Sequence, residues 1–150
     1  MESSTYIYLT NDEDVLLDLN YRYKIKKPTF KQLKKSGKNI TEFTNLIKFS
    51  NDLEFDHIIL IKIVSKILST NYKFDKDTKN YYLSGHYENI EIMNVICSFI
   101  RKYLLCKSCD LPEVCIKSSS KGIKQKCKAC GNKNVLLYDD STFEILYKFI

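Results

Sequence analysis

Four of the six cysteines in this chain stand as two Cys-x-x-Cys pairs, Cys106-Lys107-Ser108-Cys109 and Cys127-Lys128-Ala129-Cys130, with seventeen residues between them. Each such knuckle turns two thiolates toward one point, and two knuckles supply the four corners of a tetrahedron, the arrangement of a structural zinc site. The expected cofactor is one structural Zn²⁺ per chain, held by Cys106, Cys109, Cys127 and Cys130. Four sulfur ligands leave no position for water or substrate, which argues against a catalytic metal. They also leave a net charge near −2, which the adjacent Lys107, Lys117, Lys126 and Lys128 can offset. Gly131 follows the second knuckle, where a tight turn calls for positive φ. A pair of disulfides is the competing reading, and an intracellular chain disfavours it. Cys97, within a helical pattern, and Cys115, within a strand-like run, read as small core residues.

Other catalytic patterns are missing. The two histidines, His57 and His86, fall at a helix start and in a turn and read as surface or capping residues. With four glycines in the chain there is no phosphate-cradling GxxxxGK[ST] and no GxGxxG, and no GxSxG nucleophile elbow occurs. The carboxylates form no recognisable acid–base pair. The chain is not expected to be an autonomous enzyme.

Charge is segregated along the chain. Residues 22–38 carry eight cations and no acid, and residues 101–134 carry nine cations against Asp110 and Glu113. These stretches together hold +15 against −9 elsewhere, within an overall +6. One such cluster reads equally well as a solvated lysine surface. Two clusters set against an acidic remainder point to RNA or an RNA-bound assembly. Of 24 basic residues only Arg22 and Arg101 are arginine, a skew of the kind AT-rich parasite or large-virus genomes produce. Where lysine is the default cation, an arginine is more often kept for its planar fork.

The elements that position these residues follow from periodicity. At 150 residues with 44% apolar side chains, the chain can bury a core of one domain plus a metal-stapled module. The most apolar run, Ile58–Ile61, is broken by Lys62, far short of the ~20 residues a membrane helix needs. The start, Met1-Glu2-Ser3-Ser4 followed by Asp12, Glu13 and Asp14, is not that of a signal peptide. The expectation is a cytoplasmic protein (host cytoplasm if the source is a virus) that does not touch membranes. Val15, Leu16, Leu17 and Leu19 suit a short amphipathic helix capped by Asn11 or Asp12. Residues 28–43 read as two strands around Ser36–Asn39, and Tyr72–Phe74 and Tyr81–Leu83 as a second hairpin. A helix is expected over 56–69, with Leu60, Ile63, Val64, Ile67 and Leu68 inward and Lys62, Ser65, Lys66 and Ser69 outward. A longer one follows over about 88–104, burying Ile92, Met93, Ile96, Phe99, Ile100 and Tyr103. From Cys106 short strand-like runs surround the cysteines. The expected fold is α+β: a small mixed domain of two β-hairpins and two helices, then a C-terminal four-cysteine zinc ribbon. Its parts are a flexible basic tail at 1–27, the α+β domain at 28–105 and the ribbon at 106–150, which depends on its metal to fold.

The run Tyr82-Leu83-Ser84-Gly85-His86, then Phe99 to Cys109 and Lys126 to Gly131, resembles the shared core of the N-terminal domain of eukaryotic translation initiation factor 5 and the beta subunit of initiation factor 2. The resemblance covers about residues 20–150, and the helix feeding directly into the ribbon is its most specific part. Tyr21-Arg22-Tyr23-Lys24 is similar to the tail motif of factor 5, and Lys126–Gly131 to its second knuckle. The ending Thr142–Lys148 resembles its last strand. The resemblance implies that Arg22 is a finger for GTP hydrolysis by the gamma subunit of factor 2. It also implies that Lys62, reached without gaps from Asn45, is a functional lysine. A second family lysine falls on Ile40, with Lys38 as the substitute two residues away. The implied partners of this monomer are the gamma subunit with GTP, the small ribosomal subunit and initiator tRNA. The chain stops where factor 5 continues into a C-terminal helical-repeat domain, and it lacks the beta subunit's lysine-rich blocks. Residues 12–20 are the candidate for that subunit's docking helix. The leading expectation is therefore a stand-alone factor-5-like domain. Two others stand beside it: a beta-like scaffold or competitor that does not stimulate hydrolysis, and a transcription-type zinc ribbon.

Overall fold

A computed structural model describes residues 6–10 and 23–150. Arg22 and the segment 12–20 lie outside the described residues. The chain divides into two compact units, one of residues 26–96 and one of residues 1–25 with 97–150.

The unit 26–96 is built on a four-stranded antiparallel sheet whose strands lie in the order β3 (Phe30–Lys35), β4 (Lys38–Phe43), β6 (Asn80–Ser84), β5 (Tyr72–Asp75). Strands β3 (Phe30–Lys35) and β4 (Lys38–Phe43) form the first expected hairpin, in register Lys35↔Lys38 through Phe30↔Phe43. The turn is only Ser36-Gly37, both at positive φ (51° and 78°), the twist that suits a two-residue hairpin. Strands β5 (Tyr72–Asp75) and β6 (Asn80–Ser84) form the second hairpin. Its loop is ordered by the Asp75 carboxylate, which accepts from the backbone N–H of Asp77 at 2.9 Å. Pairing of β4 with β6 puts both inner strands in the core, where Ile40, Thr41, Phe43 and Leu83 are buried.

Helix α2 (His57–Ile67) starts where expected, with the Asp56 side chain accepting from the Ile58 N–H. Its buried face is wider than predicted. Ile61 and Ser65 are buried alongside Leu60, Ile63 and Val64, whereas Ile67 is 43% exposed. Ser65 tolerates burial because its hydroxyl donates to the Lys62 carbonyl at 3.0 Å. A helix absent from the sequence reading, α1 (Leu46–Leu53), precedes it and buries Leu46 and Phe49. Asn45 occupies its cap position, but the Asn45 amide is turned to the chain before β3: it accepts from the Thr29 N–H and donates to the Lys27 carbonyl.

Helix α3 (Asn89–Phe99) buries Ile92 and Ile96, with Met93 half-buried, and carries the chain across the unit boundary at Cys97. The expected helix to residue 104 is completed differently. Ile100–Leu104 form a π-helical turn that buries Ile100, Tyr103 and Leu104. Such a wide turn rotates the following residues relative to an α-helix, and Leu105 then leaves in extended conformation (φ −108°, ψ 136°) toward Cys106.

In the unit of the two termini, β1 (Tyr6–Tyr8) pairs with β2 (Lys24–Lys26). The cysteines lie on and around a three-stranded antiparallel ribbon, β7 (Val114–Ser119), β8 (Gly122–Cys127) and β9 (Lys133–Leu136). The last element corrects the sequence reading. Residues Thr142–Lys148, expected as a strand, belong to helix α4 (Ser141–Phe149). Asp140 caps its first turn, accepting from the Phe143 N–H at 2.7 Å. Thr142 and Leu146, four apart, are buried on one face, a helical spacing rather than the alternation of a strand. Among the described residues no helix is long and apolar enough to cross a membrane.

Candidate metal centre

The fold brings the four predicted cysteines together. Their Sγ atoms all lie within 4.8 Å of one another, with Cys106 to Cys130 at 3.7 Å and Cys109 to Cys127 at 3.6 Å. None of the six cysteines is disulfide-bonded. A tetrahedron of thiolates with metal–sulfur bonds of about 2.3 Å has edges of about 3.8 Å, so the two short distances are those of a tetrahedral site with four sulfur ligands. The donor set and its spacing fit a metal ion.

Local backbone geometry explains how two knuckles reach this arrangement. In the first, the Asp110 N–H bonds to the Cys106 carbonyl, and Asp110 takes a positive φ of 62°. In the second, the Gly131 N–H bonds to the Cys127 carbonyl, and Gly131 supplies the positive φ (77°) expected of it. The knuckles are joined by the Lys128 N–H, which donates to the Glu113 carbonyl at 2.7 Å. The Thr10 hydroxyl donates to the Asp110 carboxylate at 2.7 Å, tying the end of β1 to the first knuckle.

The thiols differ in acidity. Burial pushes Cys106 up. The backbone N–H groups of Cys109 and Ser108 and the neighbouring thiols outweigh burial and bring it down to about 7. At Cys109 the Leu111 N–H lowers the value, but burial and the thiols of Cys127, Cys106 and Cys130 push it up to about 12.

Gln125 holds the frame and was not singled out by the sequence. It is fully buried in the middle of β8. Its Nε2 donates to the carbonyls of Tyr103 (3.1 Å) and Leu105 (2.9 Å). Its Oε1 accepts from the Lys107 N–H (3.2 Å) and the Asn134 amide (3.3 Å). One side chain thus links the π-helical turn, the first knuckle and β9. The only sequence signal is parity: Gln125 alternates with Lys124 and Lys126 and shares the inward face of β8 with Ile123 and Cys127.

A second anchor is Asp140. Besides capping α4, its carboxylate accepts from the Lys102 ammonium and, at 3.1 Å, from the buried Tyr103 hydroxyl. Burial works against the charged carboxylate, but Lys102 and the Phe143 N–H hold it below the usual carboxylate range. Burial and the Asp140 charge together raise the Tyr103 phenol.

Other candidate residues are placed as follows. Cys97 is half-buried on α3, whereas Cys115, expected in a core, is exposed on β7. The strand alternates, and Cys115 falls on its outward face. His57 is the first residue of α2, its ring edge-on to Tyr81, and His86 lies after Gly85 with Nε2 3.0 Å from the Leu33 carbonyl oxygen. Lys62 is half-buried on α2. Lys38 is exposed at the start of β4, where with Lys35, Lys73, Tyr82 and Ile40 it lines a cavity of about 330 Å³. Lys62 is not among the residues lining that cavity. The cysteine cluster belongs to the other unit.

Against known proteins, residues 13–133 match the model of the domain found in initiation factors 2B and 5. The chain is similar to eukaryotic translation initiation factor 5 of Caenorhabditis elegans, 31% identical over 121 residues, covering 81% of this chain and 28% of the relative. It is also similar to the factor 5 of Drosophila melanogaster (28% identical, 79% and 26%) and of Saccharomyces cerevisiae (29% identical, 75% and 28%). The chain spans about a quarter of the length of the curated relatives it matches.

Proposed function

The chain belongs to the family of the domain found in initiation factors 2B and 5, and on that premise we propose that it acts in translation initiation as a domain of the factor 5 type. It binds the preinitiation complex (small ribosomal subunit, initiator tRNA and the gamma subunit of factor 2 with GTP) in the cytoplasm as a monomer. It promotes GTP hydrolysis by that subunit and is not an enzyme on its own. The observation that carries this reading is the extent of the match to factor 5, about four fifths of the chain.

The three proposed segments, residues 1–27, 28–105 and 106–150, divide the work. Arg22 in the first is the finger, stabilising charge that develops on the phosphoryl oxygens of a GTP held by the partner. The Tyr23 carbonyl accepts from the Leu9 N–H at 2.8 Å, and β2 follows at once. In the second segment Lys62 and Lys38 contribute charge. Lys38 stands two residues before Ile40 on the same strand, hence on the same face, and Ile40 itself is buried. That relationship supports Lys38 as the stand-in for a lysine at position 40. In the third segment a single Zn²⁺ held by Cys106, Cys109, Cys127 and Cys130 fixes the ribbon; the ion supplies folding energy rather than chemistry.

Lysines of the first hairpin and of the ribbon make the phosphate contacts. The test is co-sedimentation with small ribosomal subunits carrying initiator tRNA across a salt series. Binding that falls steeply as salt rises is expected, and binding that is absent, or flat with salt, contradicts the reading.

A further inference from the structure

The ribbon's register places its lysines in an arrangement that folding alone does not favour. On β8 the inward residues Ile123, Gln125 and Cys127 are buried and the outward residues Lys124 and Lys126 are exposed. Across the sheet Lys124 faces Lys117 on β7 and Val135 on β9, and Lys126 faces Cys115 on β7 and Lys133 on β9. The outer face is therefore a continuous surface holding four exposed lysines in two directly opposed pairs, Lys117–Lys124 and Lys126–Lys133. Like charges directly opposite each other destabilise a sheet. Two more lysines, Lys121 and Lys128, flank the strands, and the acid nearest in sequence is Glu113 at the knuckle end of β7. The charge of a metal–thiolate cluster accounts for Lys126 and Lys133 beside the second knuckle. Lys117, expected from the sequence to lie beside the cluster, is instead paired with Lys124, each three residues along its strand from the Val114–Cys127 pair at the knuckle, so that charge does not account for these two.

We propose that this outer face, through Lys117, Lys124, Lys126 and Lys133, is a binding surface for the phosphate backbone of RNA. The proposal rests on the reading of the chain as an RNA-associated initiation factor and narrows its phosphate contacts to one face. Strands lie about 4.8 Å apart and alternate residues about 7 Å apart, so the lysines form a dense two-dimensional grid of cations. Only a polyanion answers such a grid. Ammonium groups bind phosphate as point charges without reading bases. The face carries no aromatic ring on which a base could stack and no arginine, so binding is independent of sequence. The same composition disfavours a protein partner, whose contact centres are rich in Trp, Tyr and Arg and poor in lysine.

The test measures binding of the full, zinc-loaded chain to a labelled RNA hairpin by fluorescence anisotropy across a salt series. The variant carries K117Q, K124Q, K126Q and K133Q together. Loss of four phosphate contacts lowers the slope of log K against log salt by about 3, and an unchanged slope overturns the proposal. A second variant, K124E, separates binding from folding. It places a carboxylate opposite Lys117, so its melting temperature is expected to rise while its RNA affinity falls. A rise in melting temperature with wild-type affinity makes the face a solvated surface and overturns the proposal. Polyglutamate is the competing probe: displacement of RNA at equal charge concentration assigns the face to acidic protein instead. Co-sedimentation with small ribosomal subunits is run in parallel, so that loss of this proposal is distinguishable from failure of the initiation-factor reading.

Discussion

The side-chain amide of Gln125 donates from 2.9 Å to the carbonyl of Leu105, the residue immediately before the first cysteine of the cluster. Through its oxygen the same amide accepts from the Lys107 N–H, immediately after that cysteine. Cys106 is thus clamped on both sides by one buried side chain from the middle strand of the ribbon.

Gln125→Leu keeps the volume but leaves the buried carbonyls of Tyr103 and Leu105 without their partner. At about 1–3 kcal/mol for each buried unsatisfied group, a loss of at least ~2 kcal/mol is expected in urea denaturation of the metal-loaded chain. Metal release to a chelator should also be faster. Gln125→Glu should be worse, because it sets a carboxylate oxygen against the Tyr103 and Leu105 carbonyls. Variants as stable as the wild type would show that the clamp is incidental.

The sequence revealed this site unevenly. Cysteine spacing announces the cluster because two knuckles have few alternative uses, and both hairpins of the four-stranded sheet follow from turn chemistry at Ser36-Gly37 and around Asp75. Gln125 was hidden because a polar residue between two lysines reads as surface. Its burial is decided by carbonyls about twenty residues away in the chain. Helix α1 offers only Leu46 and Phe49 as its buried apolar pair, too short a pattern to stand out, and its Asn45 serves another segment. The expectation of a strand over Thr142–Lys148 came only from the resemblance to the last strand of factor 5, not from a local pattern. The cap at Asp140 and the burial of Thr142 with Leu146 decide for a helix.

Metal content separates the cysteines. One ion per chain is expected for the wild type and for Cys115→Ser, whose side chain is on the opposite face of β7 from the inward residues. Cys106→Ser should lose the ion and unfold the ribbon, as read by metal analysis and circular dichroism. Acid should release the ion from the wild type as protons displace it from the thiolates. A Cys106→Ser chain with full metal and native spectra would remove that residue from the ligand set.

Asp140 gives the fold a pH dependence of known sign. Its carboxyl is depressed in the folded chain below the usual 3.8. The stabilisation it contributes is therefore complete above that value and is lost as pH falls through the lower, folded value. Asp140→Ala should cost ~1–2 kcal/mol at neutral pH from the lost cap alone. Asp140→Asn, which keeps an acceptor for the Phe143 N–H, should cost less and should flatten the acid limb of the stability curve. An acid limb identical in wild type and Asp140→Asn would contradict the assignment.

Gly122 is required where β8 starts. A Cβ there would stand 2.6 Å from the Leu136 carbonyl oxygen, at a φ of 136°. Gly122→Ala should destabilise the ribbon by ~1–3 kcal/mol, the range for a residue forced into a sparsely populated backbone region. The effect is measurable as a lowered denaturation midpoint with the metal present. An unchanged midpoint would show that β9 can move aside.

The most direct measurement of the proposed function is single-turnover GTP hydrolysis by initiation factor 2 bound to initiator tRNA and the small ribosomal subunit. It is run without the chain, with the wild type and with Arg22→Ala. The account predicts acceleration by the wild type that falls by ~10³ or more in the variant, with binding to the complex retained. No acceleration by either chain, with binding intact, would contradict it and leave a scaffold or competitor in its place.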